Sequence, residues 1–187
     1  MVSDSDSDTW VITDLEKHQD VALEYGLYMA EFSRMESQFY WLFSKLLNRE
    51  AKSFGNAQAI LGHIQSFSTK LDTISNYLPY ARLVPLQKRE ISAAIALARK
   101  SNTFRNSTAH GLFCLKDGTL HLWPYAFETT RKTLARPFSA AIIAEERLES
   151  LNVVLSMLEC LLGGRPLPNG AIERIEEHLQ KTPSRQK

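Results

Sequence analysis

The sequence predicts an all-α fold: a bundle of four long helices, a small β-hairpin inserted after the third helix, and a short C-terminal helix. Three observations carry this. Apolar residues recur at three- and four-residue steps through most of the chain, which is the period of one helix face. That period breaks around Lys116-Asp117-Gly118, where Asp-Gly divides two short apolar runs and signals a hairpin. Gly and Pro punctuate the chain between the periodic stretches.

The first helix is expected from about Thr13 to Arg49. Val21, Tyr25, Tyr28, Phe32, Met35, Phe39, Leu42 and Leu46 form its stripe, and Trp41, Phe43 and Leu47 widen it. Gly26 is where it would bend or divide. Phe54-Gly55-Asn56 interrupts the pattern, with Asn56 as the expected N-cap of a second helix that runs to about Tyr77. Ile60, Ile64, Phe67, Leu71, Ile74 and Leu78 line that helix, and Pro79 and Pro85 bracket the loop after it. The third helix starts near Pro85 and ends at His110, where Gly111 is expected to close it in a left-handed conformation. Leu112–Leu115 and Thr119–Trp123 form the hairpin arms. A polar connection from Tyr125 to Pro137 carries Arg131, Lys132 and Arg136. The fourth helix spans about Ser139 to Leu162 and stops at Gly163-Gly164. Ala171 to Lys181 reads as a short charged helix beyond Pro166 and Pro168.

In domain terms, residues 1–10 are an acidic Ser/Asp tail expected to be disordered. Residues 11–164 form the helical domain, and 165–187 a linker with the charged helix. At 187 residues, with 44% hydrophobic and 23% charged residues, the chain can build one ordinary core. A net charge of +1 argues against a protein held on nucleic acid by its whole surface, and leaves room for a local basic patch. The two cysteines, Cys114 and Cys160, indicate neither a disulfide framework nor a zinc site. The stretch from Leu151 to Leu162 is broken by Asn152, Ser156 and Glu159 and is too short to span a membrane. A cytoplasmic protein with no membrane partner is expected. His18, His63, His121 and His178 lack ligand spacing, so neither a metal nor a cofactor is expected.

The chemistry concentrates in Arg105-Asn106-Ser107-Thr108-Ala109-His110. The third helix begins with Ile91, Ile95 and Ala98 on its inner stripe, and Asn102, Arg105 and Asn106 continue the same spacing. Polar groups on a face that began as core must be paired or used. Arginine offers a forked, permanently charged donor set suited to phosphate, and histidine exchanges protons near neutral pH. Asn106 and His110 share a face, whereas Arg105 is offset from His110 by roughly 140°. A second copy of the helix across a twofold axis would unite these groups in one cleft. The partial negative charge at the helix end favours a protonated imidazole. The competing interpretation is a capping histidine beside a surface or salt-bridged arginine.

This six-residue run resembles the signature of the HEPN superfamily: an arginine followed by a polar residue, with a histidine a few positions later at a helix end. The helical outline from Thr13 to Leu162 is similar as well. The resemblance implies a metal-independent endoribonuclease that acts on RNA as a homodimer with a composite site. It also implies a toxin or defence effector held by an antitoxin or other regulatory protein. Carried over, Arg105 contacts the scissile phosphate, His110 transfers protons, and Asn106 orients the histidine or the substrate. The alternative is a non-catalytic helical module that binds RNA, a nucleotide or a partner protein.

Four further residues are candidates for support. Glu36, beside the apolar stripe of the first helix, either holds the Arg105 guanidinium or is a solvated flanking acid. Asn102 either lines the site or satisfies backbone. Ser107 and Thr108 either donate to phosphate or bond back to preceding carbonyls. Lys88, Arg89, Arg99 and Lys100, with the cations of the polar connection, would guide RNA if they share a rim.

Overall fold

The computed structural model describes residues 10–47, 54–124 and 134–181. The Ser/Asp start, and Arg131 and Lys132 of the polar connection, lie outside the described residues. The protein is predominantly helical with one small antiparallel sheet, as the sequence predicts.

Strand β1 (Val11–Ile12) comes first, because these residues pair with Leu115 and Cys114. Helix α1 (Gln19–Leu47) therefore starts later than the apolar period suggests, and it runs without a break through Gly26. The expected second helix is two, α2 (Phe54–Leu61) and α3 (Phe67–Tyr77). Asn56 lies inside α2 and is not its cap. The division falls at Gly62, whose N–H donates to the Gln58 carbonyl at 2.7 Å. A Cβ at Gly62 would lie 2.4 Å from that same oxygen. Ser66 then caps α3, its hydroxyl oxygen accepting from the Thr69 N–H at 3.5 Å.

Helix α4 (Pro85–Ala109) opens on proline, whose fixed φ suits a first helical position. Strands β2 (Leu112–Lys116) and β3 (Thr119–Trp123) follow. Asp117 (φ 51°) and Gly118 (φ 73°) both take positive φ, as the tight hairpin turn requires. Strand β4 (Arg136–Pro137) adds to β3 and completes a four-stranded sheet in the order β1-β2-β3-β4. Helix α5 (Ala140–Glu146) passes through a π-helical turn, Arg147–Leu151, into α6 (Asn152–Gly163). Gly164 closes α6 at φ 66°. Helix α7 (Ala171–Lys181) ends the described chain.

Contacts divide the chain into two units. The first comprises Met1–Met29 and Thr103–Glu146; the second comprises Ala30–Asn102 and Arg147–Lys187. In the first unit Leu120 and Leu122 turn to one side of the sheet, where they are buried with Phe138, Tyr28 and Ile143. In the second, Phe67 packs edge-on against Phe32 and Phe39, and Phe43 packs against Tyr77. Burying such rings removes the largest apolar areas from water and anchors α1 to α3. Trp41, by contrast, is exposed and does not widen the buried stripe. Helix α7 buries Ile172 and Ile175, and its Glu173 and Glu176 pair with Arg89 of α4. No helix among the described residues is long and apolar enough to cross a membrane.

Candidate functional site

The last turns of α4 belong to the first unit, and Phe104 fixes them there. Its ring lies 5.2 Å from Tyr28 and stacks at 6.4 Å on Phe138, which also meets Phe113 at 5.8 Å. The Phe104 carbonyl accepts two hydrogen bonds, from the Ser107 hydroxyl at 2.8 Å and the Thr108 hydroxyl at 3.0 Å. Both side chains are buried. Ser107 and Thr108 therefore tighten the helix end rather than meet phosphate, because a buried hydroxyl spent on a local carbonyl has no access to a ligand.

Gly111 also departs from expectation. It does not take positive φ. Its value is closeness: a Cβ there would lie 2.3 Å from Leu122 Cδ1 and 2.7 Å from the Ser107 carbonyl oxygen. Glycine thus lets the chain leave α4 and enter β2 directly against β3.

Arg105 and Asn106 are both half-buried, and they are hydrogen-bonded to each other. Arg105 Nη1 donates to Asn106 Oδ1 at 2.9 Å. This bond draws the guanidinium towards the Asn106 side of the helix, where His110 follows one turn later. The amide thus positions the arginine rather than the histidine. The His110 backbone N–H still donates to the Asn106 carbonyl at 3.0 Å, so the helical register persists through this residue. Its side chain is exposed and has no hydrogen-bond partner among the described residues. An accessible imidazole of this kind can give or take a proton from a bound molecule.

Tyr25, in the first unit on α1, is a neighbour that apolar periodicity alone assigns to core. It is half-buried. Burial pushes its phenol above the ordinary tyrosine range, and the Arg105 charge partly offsets that rise. The positive field of Arg105 is thus felt at the Tyr25 hydroxyl. A tyrosine at an apolar helix position, with an oxygen that needs a partner, is the signal in the sequence that points to it.

The remaining candidates lie in the second unit. The Glu36 carboxylate accepts from Lys70 Nζ at 2.6 Å, so its cation is Lys70. Burial would lower the Lys70 pKa, but its hydrogen bonds to Glu36 and Tyr40 and their charge outweigh it and raise the value. Asn102 is buried. Lys88, Arg89, Arg99 and Lys100 of α4 are each engaged within this unit. Lys88 donates to the Pro79 carbonyl, Arg89 holds Glu173 and Glu176, Arg99 pairs with Asp72, and Lys100 meets His178. A groove of about 630 Å3 between α6 and α7 includes Leu148, Met157, Leu167 and Ile175 in its lining and contains none of the motif residues. Among the described residues, no three His, Cys, Asp or Glu side chains converge as a metal site.

No protein-family model matches this chain, nor does any curated protein or any solved structure.

Proposed function

We propose that this protein is an endoribonuclease that cleaves RNA without a metal, with Arg105, Asn106 and His110 as its reacting constellation. One observation carries the reading: Arg105 Nη1 is held on Asn106 Oδ1 at 2.9 Å, on the side of the helix where an exposed imidazole follows one turn later. A held cation suited to phosphate and an accessible proton-transfer group on the same helix end support this reading, because phosphodiester cleavage needs both.

In the proposed reaction the ribose 2′-oxygen attacks the adjacent phosphorus. A P–O bond to the 2′-oxygen forms and the P–O5′ bond breaks, leaving a 2′,3′-cyclic phosphate and a 5′-hydroxyl. One imidazole takes the 2′-hydroxyl proton, and an imidazolium gives a proton to the departing 5′-oxygen. Charge grows on the non-bridging oxygens as the bonds change, and the Arg105 fork stabilises it. Two copies of the chain supply two imidazoles, one for each proton transfer. A 2′-hydroxyl nucleophile restricts the substrate to RNA.

The test is cleavage of a labelled, structured RNA in excess chelator by wild type, His110→Ala and Arg105→Ala. Cleavage by wild type alone is expected, with far-UV circular dichroism alike for all three. Equal cleavage by His110→Ala refutes the role of the histidine. RNA binding without cleavage by any of the three favours a non-catalytic module. In cells, expression is expected to arrest growth in the manner of a toxin or defence effector, and either substitution is expected to relieve the arrest.

A further inference from the structure

We propose that the outer face of the four-stranded sheet is a stacking platform for unpaired RNA bases leading into the Arg105–His110 site. The choice of RNA rests on the nuclease reading above; the platform itself rests on the composition of the face. Leu120 and Leu122 point to the buried side. Strand alternation and register then put Ile12, Lys116, His121, Trp123 and Pro137 on the opposite side, where Trp10 joins them just before β1. Trp10 is 39% exposed and Trp123 38% exposed, which is unusual for the largest apolar side chain.

The rings are held rather than loose. Trp10 meets the His121 ring edge-on at 5.2 Å, and Lys116 Nζ lies 5.3 Å from the Trp10 ring centroid. His121 Nδ1 is in turn tied to the Thr119 carbonyl at 3.0 Å. Flat rings with a cation among them suit bases and phosphates together. The β1, β2 and β3 positions on this face carry no acidic residue, so its charge complements a polyanion. Ile12 and Leu112 lie on the same face and add apolar area beside the rings.

Position supplies the link to the motif. Trp123 pairs with Leu112, two residues beyond His110. Two strand residues cover about 6.8 Å, so the tryptophan-bearing end of the sheet adjoins the end of α4. In this proposal an RNA strand lying along His121 and Trp123 leads towards the end of α4.

The experiment measures binding of a fluorescein-labelled oligoadenylate by anisotropy. It uses the full chain carrying His110→Ala, so that the RNA stays intact. In that background Trp10→Ala and Trp123→Ala are each expected to weaken binding about tenfold. Trp123→Phe, which keeps a flat ring, is expected to retain most of the affinity. Lys116→Ala is expected to reduce the salt dependence of binding by about one unit of slope. Unlabelled duplex RNA, whose bases are already stacked, is expected to compete poorly. Affinity indifferent to both tryptophans, absence of oligoadenylate binding, or equal competition by duplex overturns the platform. So does loss of a dimer in Trp123→Ala by light scattering, which makes the face a seam between copies. Wild-type cleavage with tryptophan-independent binding removes the platform and leaves the nuclease. Tryptophan-dependent binding without wild-type cleavage removes the nuclease and leaves the platform.

Discussion

A methyl group at Gly111 would meet two obstacles of different kinds, the end of the Leu122 side chain at 2.3 Å and the Ser107 carbonyl at 2.7 Å. A side chain can change rotamer, whereas a helix carbonyl moves only if the helix end moves. Gly111→Ala is therefore expected to destabilise the protein by about 1–3 kcal/mol, read by urea unfolding. Combining it with Leu122→Val relieves only the first clash and should recover only part of the lost stability, because the Ser107 carbonyl contact remains. Full restoration by the double substitution would mean that the carbonyl contact is unimportant. The sequence marks Gly111 as a break but hides its reason, since the obstructing leucine arrives only when the hairpin folds back. Glu36 teaches the same lesson. Its position beside the stripe is visible in the sequence, but its partner Lys70 is brought to it by the packing of α3. Ser107 and Thr108 were readable, because bonding back within one helical turn needs no tertiary knowledge.

Among the elements, α1 contains an avoidable weakness. Gly26 lies inside a continuous helix, and a Cβ there would touch nothing within 4 Å. Glycine in a helix interior costs about 0.5–1 kcal/mol relative to alanine, through the backbone freedom it loses on folding. Gly26→Ala is expected to raise stability by that amount in a thermal or urea melt, and a destabilised variant would show that α1 needs a hinge there. Long elements are legible because many residues repeat one period: α4 and α7 follow their stripes and punctuation, and α1 follows its stripe though not the break expected at Gly26. The hairpin was legible because Asp117-Gly118 supplies two positive φ angles. Strands β1 and β4 were not, since two residues cannot display a period and both exist by pairing with the hairpin. The gap between α2 and α3 was hidden because the apolar spacing from Ile60 to Phe67 continues across it. The π-helical turn before α6 leaves no compositional mark of its own.

For the whole molecule the decisive question is whether one copy of the motif suffices. At 3.6 residues per turn Arg105 and His110 leave their helix roughly 140° apart, and the Arg105 guanidinium is bonded to Asn106. The proposed cleavage would also need two proton transfers, while the motif of one chain contains a single histidine, His110. A twofold pairing of motifs would meet both needs, because each copy would present the same patch to the other. Arg105→Ala and His110→Ala chains, inactive when separate, are thus expected to regain part of the wild-type cleavage once mixed and allowed to exchange subunits. The mixed dimer retains one guanidinium and one imidazole, contributed by different copies. It lacks the second imidazole, so recovery should be incomplete and should shift the pH optimum. Exchange can be followed independently by tagging one chain and measuring its co-purification with the other. Heterodimers that form without regaining cleavage would refute the shared site, and so would a cleaving species that light scattering finds to be a monomer. Recovery that rises with the fraction of heterodimer would place the arginine of one chain and the histidine of its partner at one phosphate.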